Sequence, residues 1–90
     1  ESVEGELFRI AQEAISNALR HSRADLIQVE LRYRSSGLQL IVKDNGVGIA
    51  QAEGYGLRLM RQRAERIRAH LSLQTQPGEG TSLEVGWAGT

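Results

Sequence analysis

Hydrophobic residues recur in this sequence with two different periods, and the order of those periods is the strongest constraint on its fold. From Leu7 to Leu19 apolar residues occupy every third or fourth position, which is the spacing of an amphipathic helix. Two alternating segments follow, then a second helical segment at 56–69 and two more strands at 71–76 and 81–87. This order predicts an α+β two-layer sandwich, in which helices cover one face of a largely antiparallel (mixed) sheet.

Turn and cap residues define the boundaries of these elements. Ser2 is the expected N-cap of the first helix. The Ser-Ser-Gly turn at 35–37 separates alternating strands at 27–34 and 38–44, which predicts an antiparallel hairpin. Pro, Gly, Glu and Gly at 77–80 interrupt the second strand pair in the same way. In the first strand the apolar residues that share one face are Ile27, Val29, Leu31 and Tyr33.

Composition limits the chain to one small domain and excludes several classes of function. Ninety residues bury enough surface for one core, so we expect a single domain over 1–90. Eleven basic and eleven acidic residues give no net charge, which argues against a general affinity for nucleic acids or membranes. The absence of cysteine excludes disulfides, thiolate metal sites and cysteine nucleophiles. No apolar run reaches the roughly 20 residues of a membrane span. Because Met60 is the only methionine, we expect a fragment of a longer protein.

Two polar residues occupy strand positions whose side chains are predicted to point to the same face as the core residues. Asp44 follows the apolar residues of its strand at the same two-residue spacing. Thr81 precedes the apolar residues of the last strand at the same spacing. A carboxylate on the helix-covered side is costly unless it is paired, so Asp44 needs a partner. The alternative is that Asp44 ends its strand and caps the Asn45-Gly46 turn. A further glycine, Gly48, is not needed by a two-residue turn and favours a ligand.

Three polar residues of the first helix are spaced four apart and form one predicted stripe beside its apolar face. They are Glu13, Asn17 and His21. A carboxylate, a carboxamide and an imidazole in this arrangement could serve a ligand made of metal and phosphate. Taken alone, the stripe is more typical of a solvated helix face, with Arg9 and Arg20 nearby.

Four motifs, in order, resemble those of the ATP-binding catalytic domain of sensor histidine kinases, whose fold is shared with DNA gyrase, Hsp90-type chaperones and the mismatch-repair ATPases. Arg-Ile-Ala-Gln-Glu-Ala-Ile-Ser-Asn-Ala-Leu-Arg-His-Ser at 9–22 resembles the N box. Asp-Asn-Gly-Val-Gly-Ile at 44–49 and Gly-Tyr-Gly-Leu at 54–57 resemble the two glycine boxes, and Gly-Glu-Gly-Thr at 78–81 resembles the final motif. The run at 56–65 is most similar to the nitrate-sensor-like subfamily. The resemblance implies a Bergerat-type ATP-binding fold.

The resemblance also implies roles for the residues singled out above. Asp44 would accept a hydrogen bond from the adenine amino group, and Thr81 would join that network directly or through water. Asn17 would coordinate Mg²⁺, which prefers oxygen ligands. Glu13 would orient or deprotonate the attacking group. The other positions implied to bind ATP are Arg20 and His21 near the phosphates, with Gly46, Gly48, Ile49, Gly54, Gly56 and Leu57 around the nucleotide.

The implied activity is transfer of the γ-phosphate of Mg·ATP to a histidine on a separate dimerisation domain, for relay to a response regulator. Such a domain is expected to be monomeric when isolated and to lie in the cytoplasm, on a parent that could be an inner-membrane sensor. Neither histidine of this chain, His21 or His70, matches an acceptor motif, so autophosphorylation is not expected. The sequence departs from the family in a very short segment between the glycine boxes and in lacking the strand that normally precedes the N-box helix.

Two other functions of the same fold remain open at this point. An anti-sigma-factor serine kinase has similar glycine boxes, and a degenerate module would bind nucleotide or a partner without catalysis. The Asn-Ala-x-Arg-His wording at 17–21 favours the histidine kinase, and the intact Glu13, Asn17 and Asp44 favour catalysis.

Other ligand classes fit the sequence poorly. Position 51 is glutamine where a Rossmann motif needs a third glycine, there is no P-loop motif, and two distant histidines without cysteine argue against zinc. The arginines of the second helix spread around its circumference, as on a solvated surface, so no nucleic-acid binding is expected. They are Arg58, Arg61, Arg63, Arg66 and Arg68.

Overall fold

The structure is a computed structural model that describes residues 2–46, 55–76 and 78–89. Its elements follow the predicted order: α1 (Val3–Asn17) with a π-helical extension (Ala18–Ser22), β1 (Ile27–Arg34), β2 (Gly37–Asp44), α2 (Tyr55–Arg66), β3 (His70–Thr75) and β4 (Thr81–Ala88). The described strands form one antiparallel sheet in the order β1-β2-β4-β3. The predicted α+β architecture is confirmed.

The first helix begins at the predicted cap and ends in a wider helical turn. The Ser2 Oγ accepts a hydrogen bond from the amide of Gly5 at 2.9 Å, so the predicted N-cap is confirmed. After Asn17 the backbone continues as a π-helix over Ala18–Ser22. Because a π-helix closes its hydrogen bonds over five residues rather than four, the α-helical spacing predicted for the polar stripe does not extend to His21.

The second helix ends at Arg66, three residues before the predicted boundary. Arg68 has a left-handed φ of 58°, and its amide donates to the carbonyl oxygen of Glu65 at 3.1 Å. The next amide, that of Ala69, donates to the carbonyl oxygen of Ala64 at 2.8 Å. These two bonds form a Schellman C-cap. The predicted helix end at Ala69 is wrong. The last apolar residues of the periodic segment do pack on the core, but they do so from the turn that follows the helix.

The core lies between the helices and one face of the sheet. Ile10 of α1 and Val85 of β4 have no exposed surface. Burial of a side chain of this size stabilises a fold by about 1.5–3 kcal/mol. The buried cluster consists of Leu7, Ile10, Ala11, Leu40, Val42, Leu57, Met60, Ala64, Leu71, Leu83 and Val85. Within the described residues, no helix is long and apolar enough to span a membrane.

The apolar face of β1 is largely exposed, although the alternation of its residues is as predicted. Val29, Leu31 and Tyr33 keep 48%, 38% and 67% of their accessible surface. Ile27, at the other end of the strand, packs partly against the core. The cause is position, since β1 lies at one edge of the sheet while α1 packs over its neighbour β2.

A buried carboxylate joins the two helices. Glu6 of α1 is fully buried, and its Oε1 accepts a hydrogen bond from Arg63 Nη1 at 3.2 Å. Its Oε2 lies 3.7 Å from Arg66 Nη1 and receives no hydrogen bond from the described residues. A buried charge is tolerated only with a paired partner, so Arg63 holds α2 against α1.

We expect Arg63→Met to lower the free energy of unfolding by about 3 kcal/mol, because it leaves the Glu6 carboxylate buried without a hydrogen bond. Arg66→Met is the matched control, since that side chain is 59% exposed against 28% for Arg63 and its ion pair is longer. We expect its effect to stay below about 1 kcal/mol. Urea denaturation followed by circular dichroism measures both. Equal losses would show that the short Arg63 contact has no special role.

Candidate functional site

One end of the helix-covered face carries a row of polar residues that crosses three strands. Asp44 on β2 lies directly opposite Thr81 on β4, and Thr81 lies opposite Thr75 on β3. The hydroxyl oxygens of Thr75 and Thr81 are 3.0 Å apart. The two residues identified from strand phase are therefore cross-strand neighbours. Thr75 extends the row and was missed, although it has the parity of the apolar residues in its own strand.

Asp44 also closes the turn that follows its strand. Its Oδ1 accepts a hydrogen bond from the amide of Gly46 at 2.9 Å, so the turn-capping role considered for Asp44 is present. The neighbouring Asn45 acts elsewhere, because its Oδ1 accepts from the amides of Asp25 and Leu26 at 2.9 and 3.0 Å and so holds the entry into β1. No hydrogen bond from the described residues reaches the second oxygen of Asp44.

Gly80 packs the last glycine motif directly against Asp44. Its φ is +83°, and a Cβ added there would lie 2.2 Å from the carbonyl oxygen of Asp44. Only glycine satisfies both the left-handed backbone and this approach. The Gly-x-Gly-Thr motif therefore has a structural role, because it closes the loop on Asp44 and brings Thr81 beside it.

The first helix is oriented with its C-terminal end towards the polar row. At the other end of the sheet, the Tyr33 hydroxyl donates a hydrogen bond to Glu4 Oε2 at 2.7 Å and ties the first turn of α1 to the end of β1. This hydrogen bond also raises the pKa of Tyr33. From Glu4 to Asn17 the helix rises about 20 Å, so we infer that Asn17 lies towards the end of the sheet that carries Asp44.

Glu13, Asn17 and Arg20 come together on the flank of α1. The Arg20 Nη2 donates to Asn17 Oδ1 at 3.2 Å and lies 3.7 Å from Glu13 Oε2. Glu13 also lines a cleft of about 300 Å³ between α1 and α2, with Arg9 and Arg63 among its other residues. The flank thus offers an amide oxygen, a carboxylate and a cation, which are groups suited to a phosphate with a bound divalent metal.

Two further clefts lie at opposite ends of the sheet. One of about 430 Å³ lies beside the polar row and includes Asp44 and Thr81 in its lining. Lys43 and Ser82 also line it and have the opposite strand phase, so this cleft opens largely on the face of the sheet away from the helices. A cleft of about 660 Å³ at the far end surrounds Tyr33 and Trp87 and contains none of the predicted site residues. The candidate site is therefore placed by the polar row on the helix-covered face, at the end of the sheet that carries Asp44, and not by the lining of either cleft.

The predicted glycine-box residues are only partly covered by the structure. Gly46 is buried just beyond β2 and Gly56 is the second residue of α2. The side chain of Leu57 belongs to the core cluster. Outside the described part of the chain lie Gly48, Ile49, Gly54 and the side chain of His21.

A helix-covered antiparallel sheet of this kind is found in known proteins. Residues 2–88 match the family described as histidine kinase-, DNA gyrase B- and HSP90-like ATPases. The histidine kinase domain of a blue-light-activated kinase from Erythrobacter litoralis EL346 is similar at a TM-score of 0.81 and 26% identity, over 92% of this chain and 43% of that one. The ATP-binding domain of PrrB from Mycobacterium tuberculosis is similar at 0.79 and 28%, over 96% and 68%.

Sequence relatives are sensor kinases. The sensor histidine kinase LiaS of Bacillus subtilis and the sensor protein VraS of Staphylococcus saprophyticus are each 44% identical to this chain over 92% of its length. The alignments cover 24% and 25% of those proteins, so the chain spans about a quarter of the relatives it matches. The fold is that of a histidine kinase-type ATP-binding domain. The chain belongs to the histidine kinase-, DNA gyrase B- and HSP90-like ATPase family, and the family predicted from the four motifs is confirmed.

Proposed function

We propose that the chain binds Mg·ATP between α1 and the polar row and presents the γ-phosphate to a histidine on a separate helical domain. The observation that carries the proposal is the Asp44–Thr81 pair on the helix-covered face, where the second carboxylate oxygen of Asp44 receives no hydrogen bond from the described residues. An acceptor at this point suits the 6-amino group of adenine and disfavours the 6-oxo group of guanine. Thr81 would join the network directly or through water.

Asn17 is the proposed ligand of Mg²⁺. Its Oδ1 is the kind of oxygen that this ion prefers, and Mg²⁺ usually keeps several waters and phosphate oxygens, so a single protein ligand is sufficient. The present donor to that oxygen, Arg20, is 59% exposed and can turn to a phosphate. Glu13 is proposed to orient the attacking group. The remaining proposed contacts to ATP are those of His21, Gly46, Gly48, Ile49, Gly54, Gly56 and Leu57.

Phosphoryl transfer depends on positioning and charge neutralisation more than on covalent chemistry by the protein. This suits a site composed of glycines, one amide, one carboxylate beside the adenine base and basic residues beside the phosphates. The proposed partners are the dimerisation domain that carries the phosphoacceptor histidine and the receiver domain of a response regulator. The domain would act in the cytoplasm as part of a longer sensor protein. Nucleic-acid binding is not proposed, because Glu6 engages Arg63 and Arg66 of the arginine-rich helix.

The serine kinase alternative is distinguished by the acceptor. Labelled ATP would be incubated with this chain and the separately purified histidine-bearing domain of its parent, or with a serine-bearing anti-anti-sigma partner. We expect acid-labile label on the histidine domain only, and no label on the chain alone. Acid-stable label on the serine partner would favour the alternative.

Asn17→Ala should remove most of the effect of Mg²⁺ on ATP affinity while changing metal-free affinity little, because the proposed loss is one metal ligand. Gln62→Ala, which removes an exposed amide from α2, is the matched control and should keep the wild-type response to Mg²⁺. Calorimetric titration with a non-hydrolysable ATP analogue, with and without Mg²⁺, measures both variants. An Asn17→Ala protein with an unchanged Mg²⁺ response would place the metal on another ligand.

A further inference from the structure

Thr75 lies at the outer end of the polar row, two strands away from Asp44. It follows Leu71 and Leu73 at the two-residue spacing of a strand, so its half-buried side chain lies on the helix-covered face. Valine has the same shape as threonine, so packing alone does not call for a hydroxyl group in this position. A half-buried hydroxyl is costly unless it is hydrogen-bonded, and two oxygen atoms lie within reach of this one.

Those two oxygen atoms allow two arrangements of the hydroxyl protons. Thr81 Oγ1 lies 3.0 Å from Thr75 Oγ1, and the carbonyl oxygen of Gly80 lies 3.4 Å from it. In the first arrangement Thr75 donates to Thr81. In the second arrangement Thr81 donates to Thr75, which in turn donates to the carbonyl oxygen of Gly80. Because each hydroxyl has a single proton, Thr81 keeps its proton for another acceptor only in the first arrangement.

Two features of the site favour the first arrangement. Hydrogen bonds between oxygen atoms are ordinarily about 2.5–3.0 Å long, so the 3.4 Å contact with Gly80 that the second arrangement uses is a weak one. On its other side Thr81 lies opposite Asp44, whose carboxylate only accepts hydrogen bonds. A hydrogen bond to a carboxylate is about twice as strong as one to a neutral acceptor, so the proton of Thr81 is drawn away from Thr75.

We propose that Thr75 is a positioning residue of the nucleotide site, whose hydroxyl donates to Thr81 and so makes Thr81 a hydrogen-bond donor towards the base. This inference rests on the proposed binding of ATP at the polar row. It adds an ordered chain, in which Thr75 donates to Thr81 and Thr81 donates to the base or to a water beside it. Successive hydrogen bonds in such a chain polarise and strengthen one another.

The ordered chain would select adenine at two positions of the base. Adenine presents the donor of its 6-amino group beside the acceptor N1. Asp44 with Thr81 presents the complementary pattern, an acceptor beside a donor. Guanine presents a 6-oxo acceptor beside an N1–H donor, so each of its two groups would meet a group of the same kind. Thr75 would therefore contribute to base selectivity without touching the base.

Calorimetric titration of the complete 90-residue chain with ADP and Mg²⁺ tests the proposal. We expect Thr75→Val to weaken ADP binding by about three- to tenfold, because Thr81 loses the hydrogen bond that directs its proton. Thr75→Ser keeps the hydroxyl and should stay within about twofold of wild type. Ser72→Ala removes a hydroxyl from the other, exposed face of the same strand and should leave the affinity unchanged.

A change in the ligand separates this role from a contribution to the stability of the loop. 1-Deaza-ADP has a C–H group in place of N1 and offers no acceptor to Thr81. We expect wild-type and Thr75→Val protein to bind this analogue with affinities within about twofold of each other. A loop that is merely loosened would lose the same factor of affinity for both ligands, and that result would overturn the proposal.

Thr81→Val provides the matching test on the protein. Because Thr75 acts through Thr81, adding Thr75→Val to Thr81→Val should change the ADP affinity by less than about twofold. Losses that multiply in the double variant would show that Thr75 acts independently and would overturn the proposal. Circular dichroism establishes that each variant is folded, and Thr75→Ala, which also lacks the hydroxyl, takes the place of Thr75→Val if that variant is not.

The outcomes distinguish this inference from the proposed function. Wild-type protein that binds no adenine nucleotide overturns both. Wild-type protein that prefers ADP to GDP, together with a Thr75→Val protein of equal ADP affinity, overturns the role of Thr75 alone. The proposal predicts a loss that is seen with ADP, is absent with 1-deaza-ADP and is restored by Thr75→Ser.

Discussion

Asp44→Asn should weaken ATP binding by roughly 30- to 1,000-fold, a loss of about 2–4 kcal/mol, while the domain stays folded. The asparagine oxygen can still accept the hydrogen bond from Gly46, so the turn is retained. The other carboxylate position becomes an NH₂ donor. A donor in that position opposes the adenine amino group instead of accepting from it. Calorimetric titration with a non-hydrolysable ATP analogue measures the loss.

Two comparisons make that result specific. Glu79→Gln removes the same charge from an exposed residue of the cleft beside the polar row, and we expect its affinity to stay within about twofold of wild type. Guanine carries an acceptor at the position of the adenine amino group, so Asp44→Asn should narrow the preference for ATP over GTP. Unchanged ATP affinity in a folded Asp44→Asn protein would remove the adenine assignment.

Gly80→Ala should lower the free energy of unfolding by about 3 kcal/mol. The added methyl group must adopt the left-handed φ of +83° and would also lie 2.2 Å from the carbonyl oxygen of Asp44. That atom belongs to the backbone, so it cannot turn aside as a flexible side chain would. The melting temperature should fall by about 12 °C or more, as measured by thermal denaturation.

Gly78→Ala separates the two causes. Gly78 has nearly the same φ, +82°, but a Cβ there would meet no atom within 4 Å. Its cost should be that of the backbone conformation alone, about 1 kcal/mol. If both variants lost the same stability, the close packing of Gly80 on Asp44 would contribute nothing.

Strand phase predicted the centre of the candidate site because it depends only on the two-residue repeat of a strand. Asp44 and Thr81 have the parity of core residues, and the structure makes them direct partners. The same repeat could have identified Thr75. The order of elements and the N-cap at Ser2 were likewise local properties of the sequence, and both are confirmed.

Features that depend on distant segments could not be predicted in this way. The alternation of β1 shows which residues share a face, but its exposure follows from where β1 lies in the sheet. Glu6 resembles any acidic residue in the first turn of a helix, and only its contact with Arg63, far along the chain, shows that it is buried. The π-helical extension of α1 interrupts a spacing that helical periodicity alone would continue to His21.

Calorimetric titration of the wild-type chain with ADP and a non-hydrolysable ATP analogue, with and without Mg²⁺ and with GTP as the control, tests the central claim most directly. The account predicts saturable binding that is selective for adenine and sensitive to Mg²⁺. Absence of binding heat from protein shown to be folded, at more than one temperature, would contradict the account and favour a module that binds a partner instead.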